Sequence, residues 1–359
     1  MEQIAGFFAP LLIYTLILIL AIALPGRWVT GYVTKAHSSQ RLRYRLNGIL
    51  VFFIVVATWF VLGYKNILPW DWLYVHRWQS LLGAVIFGLL FSLAIVLPNE
   101  PVKQYHFADL YLGRLENPQL WNGRLDAKMC LYLIGAVMLE LNALSFCAHH
   151  YLLYGMQGST SIIVCTGLLS FFLIDYLSFE EVHLYTYDFF AERVGFKLGW
   201  GCIAFYPFFY AIPLWATVDL PGSDASPAWL IFSAIVFFGG WALSRGANLQ
   251  KYHFKKDPNK VFLGITLKTI ADNNHTLLVN GFWGLSRHIN YLGEILMATG
   301  LVLSTGYAQL IWPWLYPLYY VALLFPRQAD DDKRCALKYG ALWNAYKKKV
   351  PYRIIPFIY

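Results

Sequence analysis

Long uninterrupted apolar segments limit what this chain can fold into more than any other feature. Each segment has about 17–20 residues, enough to cross a bilayer of about 30 Å as a helix. The segments lie at 6–24, 48–64, 79–98, 129–148, 161–178, 197–218, 228–244, 290–305 and 308–325. Because 58% of the residues are hydrophobic and only 13% are charged, a soluble globular enzyme is excluded. The pattern predicts an all-α polytopic membrane protein with about nine or ten transmembrane helices, the tenth being a span or re-entrant segment around 261–282.

The positions of Lys and Arg indicate the orientation of these helices. Of the 28 basic residues, all but Lys65 and Arg77 fall on one set of alternate loops. Since basic loops are retained on the cytoplasmic side, we expect an outer or lumenal N-terminus and a cytoplasmic C-terminus. The net charge of +8 then reflects a basic face that meets anionic membrane lipids, so no nucleic-acid partner is expected. This topology fits an endoplasmic reticulum or a bacterial inner membrane.

Residues 245–258 form the first of two polar segments whose residue spacing indicates more than the charge that sets membrane orientation. If the segment is helical, Asn248, Lys251 and Lys255 lie on one face at the cytoplasmic boundary. Such a face can hold a phosphate group through charge-assisted hydrogen bonds. The sequence has no glycine-rich dinucleotide fingerprint in a strand–turn–helix context, so a cofactor would bind in a helical pocket.

A second polar region is split by an apolar hairpin into residues 281–294 and 327–353. The length of the hairpin returns both polar ends to the same side of the membrane, so we expect them to close over one cavity. Arg327, Asp331 and Lys338 share one helical face there. Ionisable residues at a membrane boundary are functional candidates. We expect Lys347, Lys348 and Lys349, by contrast, to contact lipid headgroups.

The motifs in these segments resemble those of the sterol reductase family, which includes sterol C14-, C7- and C24(28)-reductases and the sterol-reductase domain of the lamin B receptor. The resemblance rests on D-L-Y-L-G-R-L-E-N-P at 109–118, R-G-A-N-L-Q-K at 245–251, G-F-W-G-L-S-R-H-I-N-Y-L-G-E at 281–294 and the many fixed spacings of 327–353. One departure is Tyr132-Leu-Ile-Gly135, where the family usually has glutamate, arginine and proline.

The resemblance implies a single integral membrane domain of two parts. Residues 1–244 would form a scaffold for a sterol that enters from the bilayer, and residues 245–359 would bind NADPH from the cytoplasm. The positions that match cofactor-pocket residues of the family are Lys251, Lys255, Trp283, Arg287, Asn290, Tyr291, Arg327, Asp331, Lys338, Tyr339 and Tyr346.

Alkene reduction needs an acid, because hydride addition to an unpolarised double bond leaves an unstabilised carbanion. Desolvation at the membrane boundary favours the protonated form of a carboxyl group, which suits proton donation. We expect Asp331 to be this acid, with Tyr339 or another hydroxyl as a relay, and Glu180 and Glu181 to be the next candidates. Alternatively, Asp331 holds Arg327 or Arg287 in an ion pair. The C14 double bond is slightly preferred as the target, with C7 and C24 as alternatives.

Two other functions stay open at this point. A membrane isoprenylcysteine-type carboxyl methyltransferase has a similar C-terminal half, but Ile289-Asn290 stands where that class usually has proline and a small residue. A non-catalytic sterol-binding membrane protein is the second alternative. No metal site is expected, and we interpret the adjacent His149 and His150 as interfacial polar residues. The oligomeric state cannot be predicted from the sequence.

Overall fold

The computed structural model describes residues 2–35, 38–102, 106–223, 225–258 and 261–359. The chain divides into two compact units, Met1–Ser223 and Asp224–Tyr359, and each is described by itself. The helix that runs from Pro227 to Lys256 crosses position 244 without a break. The functional division at 244/245 rests on motifs and stays a prediction.

The N-terminal unit is a set of apolar helices with two short antiparallel β-ribbons. Its elements are α1 (Glu2–Ala23), β1 (Arg27–Thr34), β2 (Arg41–Leu46), α2 (Gly48–Tyr64), α3 (Trp72–Val75), α4 (Arg77–Val96), α5 (His106–Leu112), β3 (Gln119–Leu120), β4 (Leu125–Asp126), α6 (Ala127–Gly158), α7 (Thr160–Ser178), α8 (Glu180–His183), α9 (Tyr187–Phe190), α10 (Phe196–Trp200), α11 (Tyr206–Phe209) and α12 (Ile212–Thr217). Strand β1 pairs with β2, and β3 pairs with β4. Helix α6 is the centre of this unit, because its middle part is almost completely buried.

The C-terminal unit contains three long helices and a β-hairpin. Its elements are α13 (Pro227–Lys256), β5 (Thr269–Ala271), β6 (Thr276–Leu278), α14 (Phe282–Leu285), α15 (Ile289–Ser304), α16 (Ile311–Tyr339) and α17 (Ala341–Lys349). Helices α15 and α16 form the predicted hairpin, and α13 packs along α15. The last part of α16 extends beyond its apolar half into a charged segment.

Six helical segments of the described chain are long and apolar enough to cross a membrane. They are Glu2–Ala23, Arg77–Val96, Ala127–Gly158, Thr160–Ser178, Phe196–Thr217 and Pro227–Lys256. Two shorter apolar helices, Gly48–Tyr64 and Ile289–Ser304, coincide with predicted spans. The mainly helical, membrane-type fold is therefore confirmed, whereas the total of nine or ten spans stays a prediction.

The segment 261–282 is neither a tenth span nor a helical re-entrant piece, and that expectation was wrong. It contains the antiparallel β5–β6 hairpin instead. The carboxylate of Asp272 accepts hydrogen bonds from the backbone N–H groups of Asn274 (2.8 Å) and His275 (2.7 Å), which stabilises the turn. Ile270 and Leu277 pack against aromatic residues of α16 and α17. Alternation of polar and apolar residues, rather than continuous hydrophobicity, determines the structure here.

Small residues bring α13 and α15 into close contact. A Cβ atom on Gly240 of α13 would lie 2.6 Å from the carbonyl oxygen of Gly293 in α15. The hydroxyl of Ser244 donates a 2.6 Å hydrogen bond to the carboxylate of Glu294 one turn further along. Small residues at a crossing let two backbones approach closely in a membrane helix pair. This crossing fixes the positions of the polar ends of both helices.

His149, at the expected lumenal end of α6, has a more ordered environment than an interfacial side chain. Its Nδ1 lies 2.8 Å from a carboxylate oxygen of Asp71, and its Nε2 lies 3.9 Å from Asp219. The imidazole stacks on the ring of Tyr74 with centroids 3.7 Å apart. The hydroxyl of Tyr74 donates to Asp219. These contacts tie the loop after α12 to α3 and α6.

Candidate functional site

The candidate site lies in the C-terminal unit, where the ends of α13 and α15 meet the charged part of α16. Trp283 in α14 is held by α13, because its indole N–H donates to the carbonyl of Ala247 (2.8 Å). Gln250, which is fully buried, accepts the backbone N–H groups of Phe282 (3.0 Å) and Trp283 (3.4 Å). The ammonium of Lys251 lies 5.4 Å from the Trp283 ring centroid, within the range of a cation–π contact.

Arg287 connects three parts of the chain. Its guanidinium donates to the carboxylate of Asp332 in α16 (3.0 Å) and to the carbonyl of Pro351 (3.4 Å). Its backbone N–H donates to the carbonyl of Tyr352 (3.0 Å). The two polar stretches predicted to converge, 281–294 and 327–353, are thus in direct contact. The same oxygen of Asp332 also accepts from the indole N–H of Trp343 (3.1 Å).

Three aromatic rings form a stack beside this ion pair. The centroids of Tyr339 and Trp343 are 6.2 Å apart, and those of Trp343 and Tyr346 are 4.9 Å apart. The hydroxyl of Tyr346 donates to the carbonyl of Trp283 (3.4 Å). Burial raises the pKa of Tyr346, so its hydroxyl stays protonated and acts as a donor. The stack gives the site a flat apolar wall next to charged groups.

Asp331 has the environment that a proton donor needs. Burial raises the pKa of its carboxyl group above the ordinary value, although Lys251, Arg334 and Arg327 act in the opposite direction. Burial therefore shifts this carboxyl group towards its protonated form relative to an exposed aspartate, and the carboxylate formed after proton loss has cations nearby. The ion-pair partner of Arg287 is Asp332, the next residue along the helix.

His288 serves the site as a neutral ring. It is 5% exposed, and its imidazole stacks on Tyr291 with centroids 4.9 Å apart. Burial, together with the positive charges of Lys251 and Arg287, lowers its pKa to about 3. The ring is therefore uncharged near neutral pH and does not supply a proton. Its place next to Arg287 suits a role in orienting the first turn of α15.

Several polar atoms of the unit are buried without a hydrogen-bond partner among the residues that the structure describes. They are Nε of Arg287, Oδ1 of Asn290 and both terminal atoms of the Gln328 amide. Buried polar groups are otherwise almost always paired, so these atoms are candidates for hydrogen bonds to a polar ligand. Together with the cations and the aromatic stack, they fit a phosphate-containing cofactor with a planar aromatic ring.

The remaining predicted cofactor residues lie on the same elements. Lys255 is half-buried in the last turn of α13, and Arg327 is half-buried in α16. Lys338 is exposed, with its ammonium 5.1 Å from the ring centroid of Tyr339. The roles of these residues stay predictions.

Sequence reasoning did not assign Gln250, Gln328 or Asp332. The acidic run Asp330-Asp331-Asp332 was a signal, but the choice among its members depends on helix rotation, which the sequence does not show. Gln250 and Gln328 carry no charge and lie within long helices. Only their burial in the folded structure distinguishes them from other polar residues of these helices.

Glu180 lies in the N-terminal unit, in α8. It is 8% exposed, and its carboxylate accepts the backbone N–H of Gly48 (3.0 Å). It borders a narrow cleft that is also lined by Tyr132, Tyr176 and His183. Burial raises the pKa of Glu180 to about 7. A carboxyl group with this pKa can donate a proton near neutral pH.

No group of three or more His, Cys, Asp and Glu side chains that could hold a metal ion occurs within the described ranges.

Comparison with known proteins gives a consistent assignment. The model of the ergosterol biosynthesis ERG4/ERG24 family matches residues 5–359. A Delta(14)-sterol reductase of Methylotuvimicrobium alcaliphilum is 35% identical over 93% of this chain and 79% of its own length. One of Arabidopsis thaliana is 32% identical over 94% and 91%, and the Delta(14)-sterol reductase TM7SF2 of Mus musculus is 34% identical over 94% and 81%. These relatives do not favour the methyltransferase alternative.

Proposed function

Because the chain belongs to the ergosterol biosynthesis ERG4/ERG24 family, we propose that it is an NADPH-dependent reductase of a sterol carbon–carbon double bond, with the C14 bond preferred. The names of the relatives above support the C14 bond over C7 and C24. The observation that carries the proposal is the convergence of Lys251, Trp283, Arg287 and the charged part of α16 in one unit.

The residues that would hold NADPH divide by chemistry. Lys251, Lys255, Arg287, Arg327 and Lys338 supply positive charge for the phosphate groups, including the 2′-phosphate. Tyr291, Tyr339, Tyr346 and Trp283 offer flat apolar surfaces, and Asn290 offers an unpaired carbonyl oxygen. When bound, the cofactor supplies a hydride.

The acid of this reaction is Asp331 in our proposal. Its carboxyl proton bonds to one alkene carbon through the π electrons, which leaves the other, tertiary, carbon electron-deficient and ready to accept the hydride. Asp331 becomes a carboxylate that the charge of Lys251 stabilises, and water on the cytoplasmic side returns the proton. Tyr339 would relay the proton if the carboxyl group does not reach the substrate directly.

Glu180 is the alternative acid, and the N-terminal helices are the proposed scaffold for the sterol. Tyr132, which borders the cleft, belongs to the stretch that departs from the usual family pattern. In this proposal the sterol comes from the bilayer and membrane lipids surround the helices. The protein lies in the endoplasmic reticulum membrane or a bacterial inner membrane, with its C-terminus in the cytoplasm.

The test is product formation by the purified protein in lipid vesicles, with NADPH and a panel of C14-, C7- and C24-unsaturated sterols. We expect reduction of the C14 substrate, and a loss of at least about 100-fold in Asp331→Asn, because a positioned general acid contributes that much. Asp330→Asn is the matched control, since Asp330 is exposed and pairs with the exposed Lys333.

Three outcomes would contradict parts of the proposal. NADPH binding without reduction of any sterol supports the non-catalytic alternative. Binding of S-adenosylmethionine instead of NADPH supports the methyltransferase. Full activity in Asp331→Asn, combined with loss in Glu180→Gln, moves the proton donor to the N-terminal unit.

A further inference from the structure

The buried face of α16 ends at Gln328, whose side chain carries an amide group. Tyr316, Tyr320 and Leu324 follow one another at four-residue spacing and face the interior, and Gln328 is the next residue in this series. Gln328 has no exposed surface. The helix becomes strongly charged directly after it, with Asp331 and Asp332 one turn further on. Gln328 therefore marks the border between the apolar and the charged part of the unit.

The amide of Gln328 has an unusual lack of partners. Neither its nitrogen nor its oxygen forms a hydrogen bond to any residue that the structure describes. Leaving such a group buried and unpaired is unfavourable, so a helix face with no other purpose would carry a leucine or methionine here. Gln250 shows the normal case in the same unit, because it is equally buried and both ends of its amide are hydrogen-bonded.

A second unpaired amide group lies on the neighbouring helix. Oδ1 of Asn290, in the first turn of α15, is buried and has no partner in the described parts of the chain. Helices α15 and α16 are antiparallel neighbours joined at 305–310. At a rise of 1.5 Å per residue, Asn290 lies about 21 Å and Gln328 about 26 Å from this connection, so they are within about one helical turn in depth. The two unpaired amides thus lie at a similar depth on neighbouring helices.

We infer that Gln328, together with Asn290, forms a subsite for a carboxamide, and that this carboxamide is the one on the nicotinamide ring. The inference rests on the proposed function. A carboxamide presents an NH2 donor group and a carbonyl acceptor in one plane. These are the two kinds of hydrogen-bond partner that the Gln328 amide lacks among the described residues. It is also uncharged, as a ligand group at the apolar border of the unit should be. The cations that suit the phosphates, Lys251, Arg287 and Lys338, lie on the charged side.

The inference places the reactive ring near the proposed acid. Asp331 follows Gln328 by three residues and so lies on the same side of α16. A ring whose carboxamide is held at Gln328 is close to the carboxyl group that provides the proton.

The test compares two ligands on two variants. The ligands are NADPH and 2′-phospho-ADP-ribose, which has the same phosphates but no nicotinamide. For Gln328→Met we expect NADPH binding to weaken about tenfold, the effect of one or two lost hydrogen bonds, and 2′-phospho-ADP-ribose binding to stay within twofold of wild type. Without ligand, the thermal midpoint of Gln328→Met should rise, because an unpaired buried amide has been removed.

Gln250→Met is the matched control. Its midpoint should fall, because three hydrogen bonds lose their side-chain partner. If Gln328→Met binds both ligands as wild type does, or if it weakens both equally, the carboxamide subsite is wrong. If the wild-type protein binds neither ligand, the proposed cofactor itself is wrong, so the two failures are distinguishable.

Discussion

At the residue scale, the sequence predicts which side-chain types belong to the site better than it predicts their partners. Arg287 and the acidic run at 330–332 are both evident in the sequence, but the structure pairs Arg287 with Asp332 and leaves Asp331 with the environment of an acid. Adjacent residues on a helix point about 100° apart, so this distinction requires the rotation of α16 about its axis. That rotation is set by tertiary packing.

Asp332 should be a positioning residue for Arg287 and Trp343. We expect Asp332→Asn to weaken NADPH binding about tenfold, because Arg287 is almost fully buried and loses its counter-charge. Ligand titration with NADPH measures the effect. Asp332→Glu should restore part of the affinity, whereas a purely structural defect would also lower the thermal midpoint of that variant.

The control for this experiment is Asp330→Asn. The side chains of Asp330 and Lys333 are 65% and 78% exposed, and exposed ion pairs contribute little. We expect its NADPH affinity to stay within twofold of wild type. Equal affinities for Asp332→Asn and Asp330→Asn would show that the Arg287–Asp332 pair does not shape the binding site.

At the element scale, the bounds of the apolar segments predict where the helices lie, but they do not predict where a helix is interrupted. The predicted segment 48–64 coincides with Gly48–Tyr64. The segment 197–218 is also helical, but it is interrupted by a π-helical turn at Gly201–Phe205 and by Pro207 and Pro213. Such interruptions depend on backbone hydrogen bonding and proline geometry, which a count of apolar residues does not include.

The close contact between α13 and α15 predicts how a single methyl group added at Gly240 changes stability. Gly240→Ala should destabilise the C-terminal unit by about 1–3 kcal/mol, because its Cβ would clash with the backbone of α15 and force the helices apart. The neighbouring Gly239→Ala is the matched control, since no atom lies within 4 Å of the position of its Cβ. Alanine favours a helix over glycine, so this variant should be as stable as wild type or slightly more stable. Thermal unfolding in detergent compares them, and equal loss in both variants would contradict the close crossing.

At the scale of the whole molecule, the convergence of the two polar stretches was predictable because a helical hairpin returns the chain to the side on which it started. The unpaired amides of Asn290 and Gln328 were not predictable, since pairing is a property of the folded environment. The burial of Glu180 likewise depends on packing by α6 and α7, whose residues line the cleft beside it. Sequence patterns therefore predict the location of the candidate site, and burial determines its chemistry.

The pH dependence of stability tests whether Glu180 is protonated in the folded protein. Its pKa rises from 4.5 to about 7 on folding, because burial disfavours the carboxylate. A carboxyl group with a raised folded-state pKa stabilises the protein fully below pH 4.5, and this contribution is lost as the pH rises towards 7. The size of the change is about 3 kcal/mol for a shift of this magnitude.

Other buried groups also make stability depend on pH, so the prediction concerns the difference between Glu180→Gln and wild type. Burial raises the pKa of Asp126 and Asp331 as well, and His288 acts in the opposite direction below pH 6.5. Relative to wild type, Glu180→Gln should become more stable as the pH rises from 4.5 to 7, whereas Glu116→Gln, in an exposed pair with Arg193, should not. Thermal midpoints measured across this pH range provide the comparison. A difference that does not change with pH would mean that Glu180 is ionised in the folded protein near neutral pH, and it would remove Glu180 as the alternative proton donor.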